Sequence, residues 1–226
     1  MRTRLLSLLP AALLISALAG ALPGAARPTL LGAQSPRPVA PQDSALVTAA
    51  DKGRVAGNPT ASIWLVEVSD FQCPWCKKFH DETFGTIKKE YVDSGKLRLA
   101  YLNLPLSMHA NAMPAAIAAM CASAQGKFWE MHDKLFDTQA IWEKIANPRA
   151  YLDSLAAAVG VKPAAQKSCS DSAATKALIQ ADMERARASG VQSTPTFFIG
   201  GTKLEGAYPV ADFRKAIDAA IAAAKK

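Results

Sequence analysis

The run Ile63-Trp64-Leu65-Val66-Glu67-Val68 is apolar at every position but one and stops at Ser69-Asp70, as a strand buried on both faces would. Beyond it, Trp75, Phe79, Ile87 and Tyr91 recur at helical spacing, and Ser94-Gly95 closes that segment before a second strand-like run over 97–102. Strand, helix, strand predicts a parallel βαβ unit. A mostly helical block follows from about His109 to Gly190, with segments at 115–124, 128–136, 149–159 and 172–189 separated by Gly126, Pro148 and Pro163. It is much longer than a simple crossover. Within it Phe128, Trp129, Met131, Leu135 and Phe136 read as the core stripe of one helix. The chain then returns to strand-like Thr196-Phe197-Phe198-Ile199, turns at Gly200-Gly201, offers 202–204 as a hairpin partner and ends in an Ala-rich helix from about Val210. Ordered structure is expected from about Ala45, with a short edge strand before the Gly57-Asn58-Pro59 turn.

The first residues follow a different pattern. Arg2 and Arg4 precede an apolar stretch over 5–18 and then small residues that offer A-x-A-like cleavage sites, which outlines a signal peptide over 1–26. An uncleaved anchor is the competing reading, but Pro10 and Pro23 leave the apolar run short of the roughly 18–20 residues that span a bilayer. Residues 27–44, with Pro28, Pro36, Pro38 and Pro41, read as a flexible leader. The remaining 45–226, with half of the 226-residue chain hydrophobic, can bury one good core. Cleavage would lower the formal net charge from +7 to +5, scattered in pairs such as Lys77-Lys78 and Lys88-Lys89 that read as solvated helix faces, so nucleic acid is not expected as a partner. The chain reads as exported, to a periplasmic or other extracytoplasmic site.

Cys73-Pro74-Trp75-Cys76 joins the first strand to the first helix. Free N–H groups and the positive end of a helix dipole stabilise a thiolate, the form that attacks disulfides. Cys73 is expected to be the exposed nucleophile, with a depressed pKa to which Lys77-Lys78 contribute, and Cys76 the shielded resolving thiol. Pro74 sits where its missing N–H costs nothing. The same spacing supplies half of many zinc sites, and His80, His109 or His132 could complete one, but no second CxxC exists. No metal or other cofactor is expected, and His109 is assigned a capping or packing role. Glu67, six positions before Cys73, would have a raised pKa if buried and could exchange a proton with Cys76; facing solvent at a strand edge is the alternative. Cys121 and Cys169 lie alone in the helical block. As a bridge they would close a loop of about fifty residues and stabilise by roughly 4 kcal/mol in the chain-entropy model; two buried free thiols are the alternative, and export favours the bridge.

Three stretches together carry a family resemblance: Glu67-Val68-Ser69-Asp70-Phe71-Gln72-Cys73-Pro74-Trp75-Cys76; Cys121-Ala122 with Gly126-Lys127-Phe128-Trp129, Asp133 and Leu135-Phe136; and Val191-Gln192-Ser193-Thr194-Pro195-Thr196-Phe197-Phe198. The chain from about Ala45 onward resembles the DsbA-like family of exported thiol:disulfide oxidoreductases of the thioredoxin superfamily. That resemblance implies an α/β fold, a thioredoxin fold with a helical domain inserted at about 105–190. It also implies that Thr194-Pro195 is a cis-proline loop beside the dithiol and that Glu67 matches the buried acid of thioredoxin-like enzymes. The best-known DsbA proteins carry histidine where Trp75 stands, which argues against extreme oxidising power.

The function expected is oxidation of cysteines in unfolded or partly folded client proteins, through a mixed disulfide at Cys73. Trp75, Thr194 and Pro195 would contact the client, and a redox partner would recycle the dithiol. A monomer is expected. The alternatives are a reductase or isomerase of the same fold, and a non-catalytic metal-binding or chaperone module.

Overall fold

A computed structural model describes residues 41–225. The signal-peptide reading of 1–26 and the leader reading of 27–40 lie outside the described residues. Positions 41–44, also read as leader, are instead the start of α1 (Pro41–Gly53), because a proline at the first helical position needs no N–H partner. β1 (Val55–Gly57) follows, and then β2 (Trp64–Ser69). Gly57 has φ +97°, and a Cβ there would collide with the Leu97 carbonyl oxygen.

The dithiol helix is a continuous run of α2 (Pro74–Phe79), a π-helical stretch His80–Phe84, α3 (Gly85–Ile87) and a second π-helical stretch Lys88–Val92. β3 (Arg98–Asn103) completes the βαβ unit. The helical insertion contains α4 (Ala112–Ser123), α5 (Phe128–Asp137), α6 (Gln139–Trp142), α7 (Arg149–Ala158), α8 (Pro163–Asp171) and α9 (Ala173–Ala188). β4 (Thr196–Ile199), β5 (Thr202–Glu205) and α10 (Val210–Ala223) finish the chain.

The sheet order is β1-β3-β2-β4-β5, with β2 and β3 parallel and the other pairs antiparallel. β2, which carries Glu67, is therefore central rather than an edge. On one face Leu65, Leu99, Phe197 and Ile199 pack with Phe79, Phe84 and Ile87 of the dithiol helix and with Phe213 and Ile217 of α10. The insertion has its own core, in which Phe128, Met131, Leu135 and Phe136 of α5 and Trp142 are essentially inaccessible and reach Phe71 and Tyr101. The α5 stripe is thus core, as its spacing predicts. Cys121 of α4 and Cys169 of α8 are joined by a disulfide with Cα atoms 5.6 Å apart, an ordinary separation for such a bridge. Among the described residues no helix is long and apolar enough to cross a membrane.

Candidate active site

The dithiol is placed by the turn that ends β2. Asp70 Oδ1 accepts from the Gln72 N–H at 2.8 Å and the Asp70 carbonyl accepts from the Cys73 N–H at 3.0 Å, an Asx-type turn that delivers Cys73 to the N-cap of α2. The insertion grips the same turn from outside. Gln139 Nε2 donates to the carbonyls of Phe71 and Cys73 at 2.6 and 3.2 Å, and the Asn111 N–H donates to Gln72 Oε1 at 2.7 Å. Asp70 Oδ2 also accepts from the Leu106 N–H at 2.9 Å and lies 2.7 Å from His109 Nδ1. His109 therefore braces the turn, consistent with the structural role expected of it.

Cys73, Cys76, Trp75, Glu67, Thr194 and Pro195 come together in one place. The Thr194–Pro195 peptide is cis, and Cys73 Sγ lies 3.4 Å from the Thr194 carbonyl oxygen. Cys73 is only 4% exposed, which corrects the expectation of an exposed thiol: the Thr194 loop lies over it. Cys76 is wholly buried, and Trp75, which precedes it in sequence, is 60% exposed. Lys77 and Lys78, expected to act on Cys73, are engaged one turn on by Asp81 and Glu82, at 2.8 and 2.7 Å.

The two thiols are driven apart. Cys73 is lowered to about 6, chiefly by the hydrogen bond from the Cys76 thiol, against the desolvation of its site and with help from the Thr194 side chain and the N–H groups of Cys76 and Trp75. Cys76 is pushed well above its ordinary value by burial and by its role as donor to Cys73. Glu67 is 0% exposed, and burial raises it to about 7, with Ser69 and the charge of His80 pulling it part of the way back.

A carboxyl that ionises near 4.5 in the unfolded chain and near 7 in the fold prefers its proton when folded. Its burial adds no penalty below about pH 4.5 and an increasing one as pH rises through 7. In the oxidised protein, where neither active-site cysteine titrates, Glu67→Gln should therefore gain roughly 2–3 kcal/mol of stability relative to the unmodified chain between pH 4.5 and 8. Urea denaturation at the two pH values measures this; a constant difference would mean that Glu67 ionises in the fold as it does in the unfolded chain.

Two of the histidines considered as zinc ligands, His80 and His132, meet Asp133, a pairing that the sequence did not indicate. Among the described residues, one group of histidine and carboxylate side chains could hold a metal ion: His80, His132 and Asp133, with ligand atoms within 4.8 Å of one another. Both rings already converge on one oxygen, His132 Nδ1 at 2.8 Å and His80 Nε2 at 3.4 Å from Asp133 Oδ1, while His80 Nδ1 lies 3.1 Å from Asp81 Oδ1. An ion on His132 Nδ1 would force a proton onto Nε2, which is buried among aromatic rings with no acceptor. The group fits a held charge better. Burial alone would lower His80, but Asp133 and Asp81 outweigh it and raise the ring, whereas the deeper His132 is lowered by its burial. Despite its own burial, Asp133 is held far below the usual carboxylate range by both rings.

A strand, a Cys-Pro-Trp-Cys helix N-terminus, a facing cis-proline loop and a helical insertion between the two halves of the sheet define a DsbA-like thioredoxin-fold protein. The thioredoxin family model matches residues 49–219, and the chain belongs to that family. It is 26% identical over 147 residues to disulfide bond formation protein D of Bacillus subtilis, covering 64% of this chain and 66% of that one. The crystal structure of Wolbachia pipientis alpha-DsbA1 superposes with a TM-score of 0.68 at 24% identity, covering 76% of this chain and 92% of that one. Oxidised BdbD from Bacillus subtilis also gives 0.68, at 25% identity and 75% and 94% coverage. The chain spans 62% of the length of a Rickettsia prowazekii relative to which it is 28% identical.

Proposed function

We propose that this chain is an exported thiol:disulfide oxidoreductase that oxidises the cysteines of unfolded or partly folded client proteins. The observation that carries the reading is the opposite displacement of two thiols on one helical turn, Cys73 down to about 6 and Cys76 upward. In the oxidising direction a client thiolate attacks Cys73 Sγ, the Cys73–Cys76 bond breaks, and Cys76 leaves as a thiolate that Glu67 can reprotonate. A second client thiolate then attacks the client sulfur of the mixed disulfide, forming the client disulfide and releasing Cys73 as its favoured thiolate. In the resolving direction Cys76 gives its proton to Glu67 and attacks Cys73. The Thr194 main chain beside Cys73 supports an extended client segment, Trp75 offers it an exposed ring, and a redox partner restores the disulfide. A groove of about 620 Å³ lined by Leu106, Met108, Met113, Met183 and Val191, and by His109, which braces the Asp70 turn, suits varied apolar side chains. The Cys121–Cys169 bridge supports an oxidising compartment. The chain works as a monomer without a cofactor.

A thiol at about 6 is roughly ten parts thiolate to one at pH 7, which favours the dithiol over the disulfide by about 1.4 kcal/mol, or about 30 mV toward an oxidant. The potential measured against glutathione tests the direction: a value between about −180 and −120 mV, the span from protein disulfide isomerase to DsbA, supports the oxidase. A value near −270 mV, with rapid insulin reduction, would make it a reductase. The second reading, an isomerase or reductase, is favoured by tryptophan rather than histidine before Cys76. A chain that neither reduces insulin nor oxidises a dithiol peptide would leave only the binding-module reading.

A further inference from the structure

Glu67 and Ser69 are two residues apart on β2 and share its face, and Tyr101 stands directly across from Glu67 on β3. With Cys76 they form a closed polar pocket under the dithiol, each of the four residues at most 1% exposed. Both Glu67 carboxyl oxygens, the Ser69 hydroxyl and the Tyr101 hydroxyl lack a hydrogen bond of good geometry. Unpartnered buried oxygens are individually costly, so a cluster of them calls for an explanation in chemistry or in bound water. Desolvation pushes Glu67, Cys76 and Tyr101 upward, and the Ser69 hydroxyl pulls all three back, which puts one hydroxyl within reach of the acid, the resolving thiol and the phenol. The other titratable groups facing this pocket are His80 from the dithiol helix, Asp70 just past the end of β2 and, beyond Tyr101, His132 of α5.

We propose that the Ser69 hydroxyl carries the proton between Cys76 and Glu67, with the Tyr101 hydroxyl donating to the Glu67 carboxylate. This rests on the reading of Glu67 as the base for Cys76. A hydroxyl accepts and donates at once, whereas the phenol, kept protonated, only donates to a carboxylate. When Cys76 resolves a mixed disulfide, its proton passes to the Ser69 oxygen as the proton of Ser69 passes to Glu67. The Cys76 thiolate attacks Cys73 Sγ, the Cys73–Cys76 bond forms as the Cys73–client bond breaks, and the client leaves as a thiolate. Ser69 ends as it began, and Glu67 has gained one proton.

The test loads glutathione onto Cys73 of the full chain and follows its single-turnover release between about pH 5 and 9. Ser69→Ala should slow release by roughly 10- to 100-fold, and Ser69→Thr, which keeps the hydroxyl, should restore most of the rate. Adding Ser69→Ala to Glu67→Gln should slow release no further, because the two groups act in series. If Ser69→Ala releases at the unmodified rate while Glu67→Gln is slow, the Ser69 proposal is overturned and Glu67 remains the base. If neither substitution slows release, the reading of Glu67 fails and the proposal with it. A threonine variant as slow as alanine would also overturn it, since the hydroxyl would then not be the active group.

Discussion

Iodoacetamide at about pH 6 should label Cys73 and leave Cys76 unmodified in the reduced protein. With its pKa near 6, about half of Cys73 is thiolate at that pH. Cys76, pushed above an ordinary value of 9.0, is thiolate in fewer than about one molecule in a thousand. Burial adds to the difference, since Cys76 has no accessible surface and Cys73 retains a little. The selectivity should therefore exceed roughly 500-fold, among the largest effects this site can produce. Its pH dependence has a definite sign. Labelling of Cys73 falls as pH drops through 6, because the thiolate that the Cys76 hydrogen bond and the Thr194 side chain stabilise is then protonated. Peptide mapping after a short pulse across about pH 4–8 gives the profile. Equal labelling of the two cysteines, or a Cys73 midpoint near 9, would remove the basis for assigning Cys73 as nucleophile.

The dithiol was legible in sequence because its parts are local: Cys73, Pro74 and Cys76 lie within one helical turn, and the apolar run around Glu67 marks a strand. Thr194-Pro195, 121 residues from Cys73, was placed beside it only by the family resemblance. The helices of the insertion with apolar stripes were legible too. α8 was not, because Pro-Ala-Ala-Gln-Lys-Ser-Cys-Ser-Asp has no apolar stripe and is held instead by its cysteine bridge and by buried Gln166. α1 was hidden by the prolines before it, and the π-helical stretches leave the same residue spacing as an α-helix until the hydrogen bonds are seen. Contacts between distant segments left no sequence signal. Gln139, an unremarkable amide in a polar stretch, braces the Cys73 carbonyl from 66 residues away. His80 and Asp133 meet across two elements, and only His132-Asp133 are neighbours in sequence.

The second large effect belongs to another such contact. Asp182→Ala should cost roughly 3–5 kcal/mol, the penalty typical of removing one partner from a buried ion pair. Asp182 of α9 is 0% exposed and Arg54, between α1 and β1, is 5% exposed. The guanidinium pairs with both carboxylate oxygens, one of them Oδ1 at 3.0 Å, and with Asp51 as well. Asp182 also accepts from Asn103 Nδ2 at 2.8 Å, from the Asn103 N–H at 3.2 Å and from Arg185 Nη2 at 2.7 Å. One carboxylate thus ties α1, β3 and α9 together, and alanine would leave a desolvated guanidinium and an unpaired backbone N–H at the end of β3. That end adjoins the active site, because the next residue, Leu104, donates its N–H to the Ser69 carbonyl at 2.9 Å. Urea denaturation should show the midpoint fall sharply, a large share of the roughly 5–15 kcal/mol that holds a typical domain together. The paired substitution Arg54→Met with Asp182→Leu should recover part of the loss, the share that comes from the desolvated guanidinium, while the Asn103 N–H stays unpaired. A cost below about 1 kcal/mol for Asp182→Ala, the range of exposed pairs, would show that water reaches Arg54 and that the three elements are held by apolar packing instead.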